Sequence, residues 1–251
     1  EGAEHERLQQ YGELLVGRLE QVVVAALKAR QPGRLAWTQG SVGFAANRRV
    51  LKDGRWVGFG AVHDAPVDHS VPVLRVTDDQ GKLRAVVVNY ACHNTTLRGN
   101  FKEIHGDWAG CAQKHFEAEH PGATALITIG CGADADPCPH STVELCEQHG
   151  RALADELARL LDEAEWKPLP PTIQADSKVL EMRPIEGVAR KAAPQPGEFT
   201  VQVTTWTFDD KLAMIFISDE VVVDYVLRLK REFDPDRLWV SAYTNDVSGY
   251  I

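Results

Sequence analysis

Two apolar runs constrain this chain more than any other feature. Ala85-Val86-Val87-Val88 and Ala125-Leu126-Ile127-Thr128-Ile129 are rich in β-branched residues, and the stretch between them, Trp108 to about Glu119, reads as a helix. Strands joined through a helix normally lie parallel and near one another, with a right-handed crossover. Their carboxyl ends then leave the sheet on one edge, which is where open α/β sheets place ligands. Each run empties into polar residues: Asn89-Tyr90-Ala91-Cys92-His93-Asn94-Thr95-Thr96 after the first, Gly130-Cys131-Gly132-Ala133-Asp134-Ala135-Asp136-Pro137 after the second. The order predicts an α/β fold, with a mixed, partly parallel sheet or sheets layered with helices, and with His93 facing Asp134 and Asp136 across the edge.

The rest of the chain extends this pattern. From Glu4 to Arg30 apolar residues recur at steps of three and four, which predicts a long helix ended by Gln31-Pro32-Gly33. A strand through Leu35 and Trp37 leads to Gly43-Phe44-Ala45-Ala46-Asn47-Arg48-Arg49, and Asp53-Gly54 signals a hairpin turn. Val71 to Val76 and Leu83 to Tyr90 form a second predicted hairpin, which delivers His93. Asp107 stands where a helix N-cap belongs, and Ser141-Thr142-Val143-Glu144 has the form of a capping box opening a helix to about Trp166. Further strands are expected at Gln174 to Leu180, Thr200 to Phe208, Leu212 to Ile217 and Arg237 to Tyr243. Arg183 to Glu198, rich in Pro, Gly and Ala, reads as a loop, and Ser218-Asp219-Glu220 as the start of another helix.

Length and charge narrow the function. The 251 residues suit one large domain, 1–251, and the absence of an initiator Met and the ending at Gly249-Tyr250-Ile251 suggest a piece of a longer protein, incomplete at both ends. A net charge of −9 disfavours nucleic acid or anionic lipid as the main partner. No stretch approaches the roughly twenty apolar residues of a membrane span. The five cysteines lack paired zinc-ribbon spacing and read as buried thiols.

Taken singly, the polar groups have ordinary explanations. A histidine after a strand is commonly a hydrogen-bonded structural residue, and Asp134 and Asp136 suit turn formers. Glu220 suits a helix amino terminus for dipole reasons, and Arg49 suits a surface charge. What distinguishes His93, Asp134, Asp136 and Glu220 is that each lies just past an apolar strand.

Together with Asn47-Arg48, Tyr90 to Thr96, Gly106-Asp107, the glycine-rich turn through Asp134, Glu220 and Asn245 to Tyr250, these residues carry a resemblance. In this order they resemble the amino-terminal catalytic domain of the neutral/alkaline non-lysosomal ceramidase family, in its bacterial ceramidase-like branch. The resemblance implies a metallohydrolase-like fold and zinc-dependent hydrolysis of an N-acyl amide by metal-activated water, with a small-molecule or lipid-like N-acyl substrate. It implies His93, Glu220 and Tyr250 as metal ligands, His93 being the second of the family's two histidines, and Arg48 as a substrate-contacting residue. Export to the periplasm or beyond the cell is implied with it.

Two departures stand out. The family's His-Thr-His motif, which supplies the first zinc histidine, precedes the first long helix and is not in this sequence; His5 lies within that helix and has no such motif around it. Where the family carries its serine, this chain has Asp136, which with Asp134 becomes the candidate catalytic carboxylate, suited to general-base work and not to a serine's nucleophilic role. The departures leave ceramide itself doubtful as substrate and keep a second reading open, a family member that binds a lipid or glycan without turnover.

Overall fold

The computed structural model describes residues 2–182 and 200–251, so the expected Arg183 to Glu198 loop lies outside the described residues. The chain divides into two units, 1–33 and 34–251. The first carries helix α1 (Gly2–Lys28), close to its expected span.

The second unit begins with strands β1 (Arg34–Ser41), β2 (Ala45–Lys52), β3 (Arg55–Val62), β4 (Ser70–Thr77) and β5 (Leu83–Tyr90). Helix α2 (Asp107–Glu119), β6 (Thr124–Ile129), β7 (Ala135–Pro137), α3 (Val143–Glu163) and β8 (Lys167–Pro168) follow. The unit ends with β9 (Gln174–Glu181), β10 (Thr200–Phe208), β11 (Leu212–Ile217), α4 (Val223–Glu232) and β12 (Leu238–Ser241). The strands form three sheets, ordered β6-β5-β4-β1-β8, β12-β11-β10-β9 and β3-β2-β7.

The predicted β5–α2–β6 crossover is present: β5 and β6 pair parallel in a register that sets Tyr90 opposite Ile129. A second unit of the same kind, β11–α4–β12, pairs parallel in the other large sheet, with Phe216 opposite Ser241. Alternation along the strands assigns their faces. Val86 and Val88 of β5 pack with Trp108 and Phe116 of α2 and Leu153 and Leu157 of α3. Val87, on the opposite face of β5, joins Trp37, Leu74, Met214 and Trp239 in a core between the two large sheets. Ile217 and Val240 face the other way, onto Val223 and Val226 of α4. The second unit is therefore layered helix, sheet, sheet, helix. Burying apolar side chains on both faces of each sheet stabilises it by roughly 1.5–3 kcal/mol per large side chain.

Asn89 joins the sheets where they meet. Its amide donates to the Val240 carbonyl at 2.9 Å, while its oxygen accepts from Ser241 and Thr128. The backbone N–H of Ala242 donates to the Ile129 carbonyl at 3.0 Å. The carboxyl ends of β5, β6, β11 and β12 are thereby gathered in one region.

Local expectations at three helix starts shift. Asp107 lies within the first turn of α2 with φ +52°, and its carboxylate accepts from the N–H groups of Thr96, Leu97 and Trp108, tying the turn after β5 to the helix. The α3 cap is Thr142, whose hydroxyl accepts from the Leu145 N–H, one residue beyond the expected Ser141. Glu220 precedes α4, which starts at Val223, so the dipole explanation for it fails and a bridge to Tyr250 takes its place. The expected Asp53-Gly54 turn is found, with φ of +52° and +71°.

Candidate metal centre

The site is assembled by short pairings around the glycine-rich turn. Strand β7 pairs antiparallel with β2, Asp136 opposite Ala46 and Ala135 opposite Asn47. The Arg48 N–H donates to the Asp134 carbonyl at 2.7 Å and the His93 N–H to the Ala135 carbonyl at 3.0 Å. Glycine is required at 132 because a Cβ there would lie 2.6 Å from the Ala91 carbonyl carbon and 2.7 Å from the Cys92 nitrogen. The turns after β5 and β6 touch backbone to backbone, and this brings His93 and Asp136 together.

His93 is held in one tautomer. Its Nδ1 lies 3.0 Å from the Ala135 carbonyl, an oxygen that only accepts, so Nδ1 carries the proton. In the neutral ring Nε2 carries the lone pair, the form in which histidine binds a metal. Trp108 Nε1 donates to the His93 carbonyl at 2.7 Å and fixes the residue from α2. Facing Nε2 is the Glu220 carboxylate, with Oε2 at 3.6 Å.

Tyr243, just past β12, completes this group: its hydroxyl oxygen lies 2.8 Å from His93 Nε2 and 3.2 Å from Glu220 Oε2. Burial, and then the neighbouring Glu220 charge, push the Tyr243 phenol above the usual tyrosine range. Its backbone has φ +56°, uncommon for a bulky side chain, and Asp219 and Asn245 nearby have φ of +70° and +68°. Asp219 holds this loop: its carboxylate accepts from the Ser248 N–H at 2.6 Å and the Gly249 N–H at 3.1 Å, and its carbonyl from the Tyr243 N–H.

Tyr250 stands on the other side of Glu220, 53% exposed, and its hydroxyl accepts from Arg48 Nη2 at 3.1 Å. Burial, then a hydrogen bond to Glu220, raise its phenol, with Arg48 opposing.

Arg48 Nη1 donates to Asp136 Oδ1 at 3.1 Å, and its guanidinium lies over the Phe59 ring at 4.8 Å. Its Nε is buried and has no hydrogen-bond partner among the described residues. Asp136 also accepts from Thr95 Oγ1 at 2.9 Å and from Arg98 Nη1 at 3.2 Å. Asp134 faces elsewhere: one oxygen accepts from the Val223 N–H at the start of α4 and the other from Asn47.

Of the residues singled out in the sequence, the structure therefore groups His93, Glu220, Tyr250, Arg48 and Asp136, and sets Asp134 behind them as a structural tie. Tyr243, Arg98, Thr95 and Asp219 were not singled out. Among the described residues no group of three His, Cys, Asp or Glu side chains is arranged to hold a metal ion, and no helix is long and apolar enough to cross a membrane. All five cysteines are free. Burial, and then the Asp136 charge, push the Cys92 thiol well above the usual range, which removes it as a nucleophile.

No family model matches the sequence, and no curated protein matches it. Solved structures do match. The neutral ceramidase from Pseudomonas aeruginosa superposes with a TM-score of 0.69 at 15% identity, over 91% of this chain and 48% of that one. A ceramidase complexed with C2 gives 0.68 at 14% identity, over 89% of this chain and 48% of that one. The chain shares the fold of these ceramidases and spans about half their length.

Proposed function

We propose that residues 34–251 belong to a hydrolase of the neutral ceramidase type, which holds a zinc ion at the His93–Glu220 edge and cleaves an N-acyl amide bond in a lipid-like substrate. The observation that carries this reading is His93 Nε2 beside a carboxylate oxygen at 3.6 Å, at the point where four strands end, on a fold shared with bacterial neutral ceramidase. The donors fit zinc in kind: a neutral imidazole with its other nitrogen fixed on a carbonyl, a glutamate, and a phenol from the 243–250 loop, Tyr250 on the resemblance. A bound zinc supplies Lewis acidity and a water whose pKa is lowered to near 7.

The protein's own groups do the rest. Arg48 is held by Asp136, Tyr250 and the Phe59 ring, and its fixed guanidinium supplies positive charge beside the site for the negative charge that develops on an amide oxygen. Asp136 accepts from two arginines and Thr95, and this commitment makes it the residue that positions Arg48. Asp134 ties the glycine-rich turn to the start of α4 and thereby sets the distance between His93 and Glu220.

The same commitment of Asp136 favours the second reading, binding of a lipid or glycan without turnover, because no free carboxylate or serine remains at that position. One experiment separates the two. The full-length protein is purified, its metal content measured, and hydrolysis of an N-acyl sphingoid amide followed with and without chelator. Hydrolysis that is lost on chelation and in His93→Ala is expected. Full activity without metal, or in His93→Ala, sinks the zinc hydrolase; bound metal and bound lipid without product select the second reading.

A further inference from the structure

We propose that Arg98 sets the specificity of this site by receiving an acidic group on the amine side of the substrate, which makes the substrate an acidic N-acyl amide of the N-acyl amino acid kind. The inference rests on the site proposed above and names the class of molecule it takes.

The observation that carries it is a pair of guanidinium groups on one carboxylate. Asp136 Oδ1 accepts from Arg48 and Oδ2 from Arg98 at 3.2 Å, and the same carboxylate lies 3.8 Å from His93 Nδ1. One negative charge offsets only one of the two cations, and buried Arg48 has the first claim on it, because a buried charge without a partner is the costlier one. Arg49 over the Tyr250 ring and Glu220 beside His93 are the other charged side chains around the site. Three positive groups thus stand against two negative, in a chain whose net charge is −9. Where the resemblance expects a serine, Asp136 anchors a second cation, a role a neutral hydroxyl cannot fill.

Arg98 is fixed and yet available. Nη1 donates to Asp136 and Nε to His140 Nδ1 at 3.3 Å. Burial, and then the Arg98 charge itself, hold His140 below the usual histidine range, so its ring stays a neutral acceptor. Nη2 has no hydrogen-bond partner among the described residues, and the side chain is 37% exposed. A guanidinium held at two nitrogens has lost its rotamer freedom before a ligand arrives, and its open edge suits an oxygen of a carboxylate or sulfonate. Holding the loop does not require this side chain. Asp107 already accepts from the Thr96 and Leu97 N–H groups, and the Ser141 N–H donates to the Thr96 carbonyl at 2.7 Å. With the lipid chain on the acyl side, the acidic group belongs to the amine side, where Arg98 stands one carboxylate away from His93.

The test compares two probes below their micelle concentrations, N-lauroylglycine and its neutral counterpart N-lauroylglycinamide. The full-length protein is used as wild type, Arg98→Met, Arg98→Gln and Arg98→Lys, with circular dichroism to check folding and Arg98→Gln to decide should Arg98→Met fail to fold. Binding is read by calorimetry and release of laurate by chromatography. Wild type is expected to bind the acidic probe about tenfold to a hundredfold more tightly than the neutral one, the worth of one charge-assisted hydrogen bond. Arg98→Met and Arg98→Gln should bring that ratio close to one, and Arg98→Lys should keep part of it. Equal binding of the two probes by wild type, or binding of neither, overturns the inference. So does a preference that Arg98→Met or Arg98→Gln retains, which would assign the acidic group to another cation. An Arg98-dependent preference in binding without release of laurate upholds the inference while the hydrolase reading fails; release of laurate from both probes without preference does the reverse.

Discussion

Replacing Asp136 by alanine tests how the site is held together. The carboxylate is buried against Arg48, with side-chain exposures of 7% and 12%, and also meets Arg98, which is 37% exposed. Removing it strands the Arg48 guanidinium, and breaking a buried pair from one side costs about 3–5 kcal/mol. The Arg98 contact, more than a third exposed, adds only about 0–1 kcal/mol. Thr95 loses an acceptor, worth about 0.5–1.5 kcal/mol. The sum is close to 5 kcal/mol, a third or more of the roughly 5–15 kcal/mol that holds a domain folded. Urea unfolding of wild type and Asp136→Ala, read at unchanged m-value, measures it.

The double variant Asp136→Ala with Arg48→Met is the sharper comparison. With the stranded charge removed, its loss should fall short of the summed single losses by at least about 2 kcal/mol. At 1 M salt the Arg98 share should vanish and the Arg48 share persist, since screening reaches exposed charges first. An Asp136→Ala loss below about 1 kcal/mol, or single losses that simply add, would refute the buried-clamp argument and return Asp136 to the role of a free carboxylate.

Two further outcomes follow from the same geometry. Asp219→Ala removes the acceptor of the Ser248 and Gly249 N–H groups, so amide exchange across 244–251 should speed up while β5 and β6 keep their protection; unchanged exchange would show the loop to be held otherwise. Burial pushes the Cys131 thiol up to about 12 from 9.0, so the folded state keeps its proton longer than the unfolded chain. The stability this gives is complete below about pH 9 and is lost as pH rises toward 12, by up to about 1.4 kcal/mol per pH unit. Cys131→Ala should therefore flatten the alkaline limb of a stability–pH curve, and parallel curves for the two proteins would overturn the assignment.

The mixed, partly parallel sheet layered with helices was legible because its signals are local, whereas the packing of the two large sheets on each other was not. An apolar run, a polar turn and a helix between two strands leave few topologies, and the parallel pairing of β5 with β6 follows from the helical crossover that joins them. His93 and Glu220 were readable for the same reason, as polar residues where stiff strands end. What escaped has its cause at long range. Strand β7 is three residues whose pairing with β2 exists only once the glycine-rich turn has folded against Ala91. The start of α4 is satisfied by Asp134, 89 residues earlier in the chain, so nothing beside Glu220 announced that the helix begins later.

Arg98 and Tyr243 show the same limit within the site. Arg98 follows the His93 turn with no pattern of its own, and its value lies in reaching Asp136, 38 residues on. Tyr243 lies two residues past β12 as an aromatic residue that would ordinarily be read as core. Its hydroxyl matters because Asp219, on a different strand end, bends the loop into a left-handed turn and delivers the oxygen to His93. A resemblance of ordered motifs directs attention to the phenol at the motif's own position, Tyr250, and says nothing of Tyr243, whose hydroxyl lies within 3.2 Å of both His93 and Glu220. Where a site is gathered from four strand ends, spacing along the chain identifies the elements that reach it, and only their packing decides which atom of each arrives.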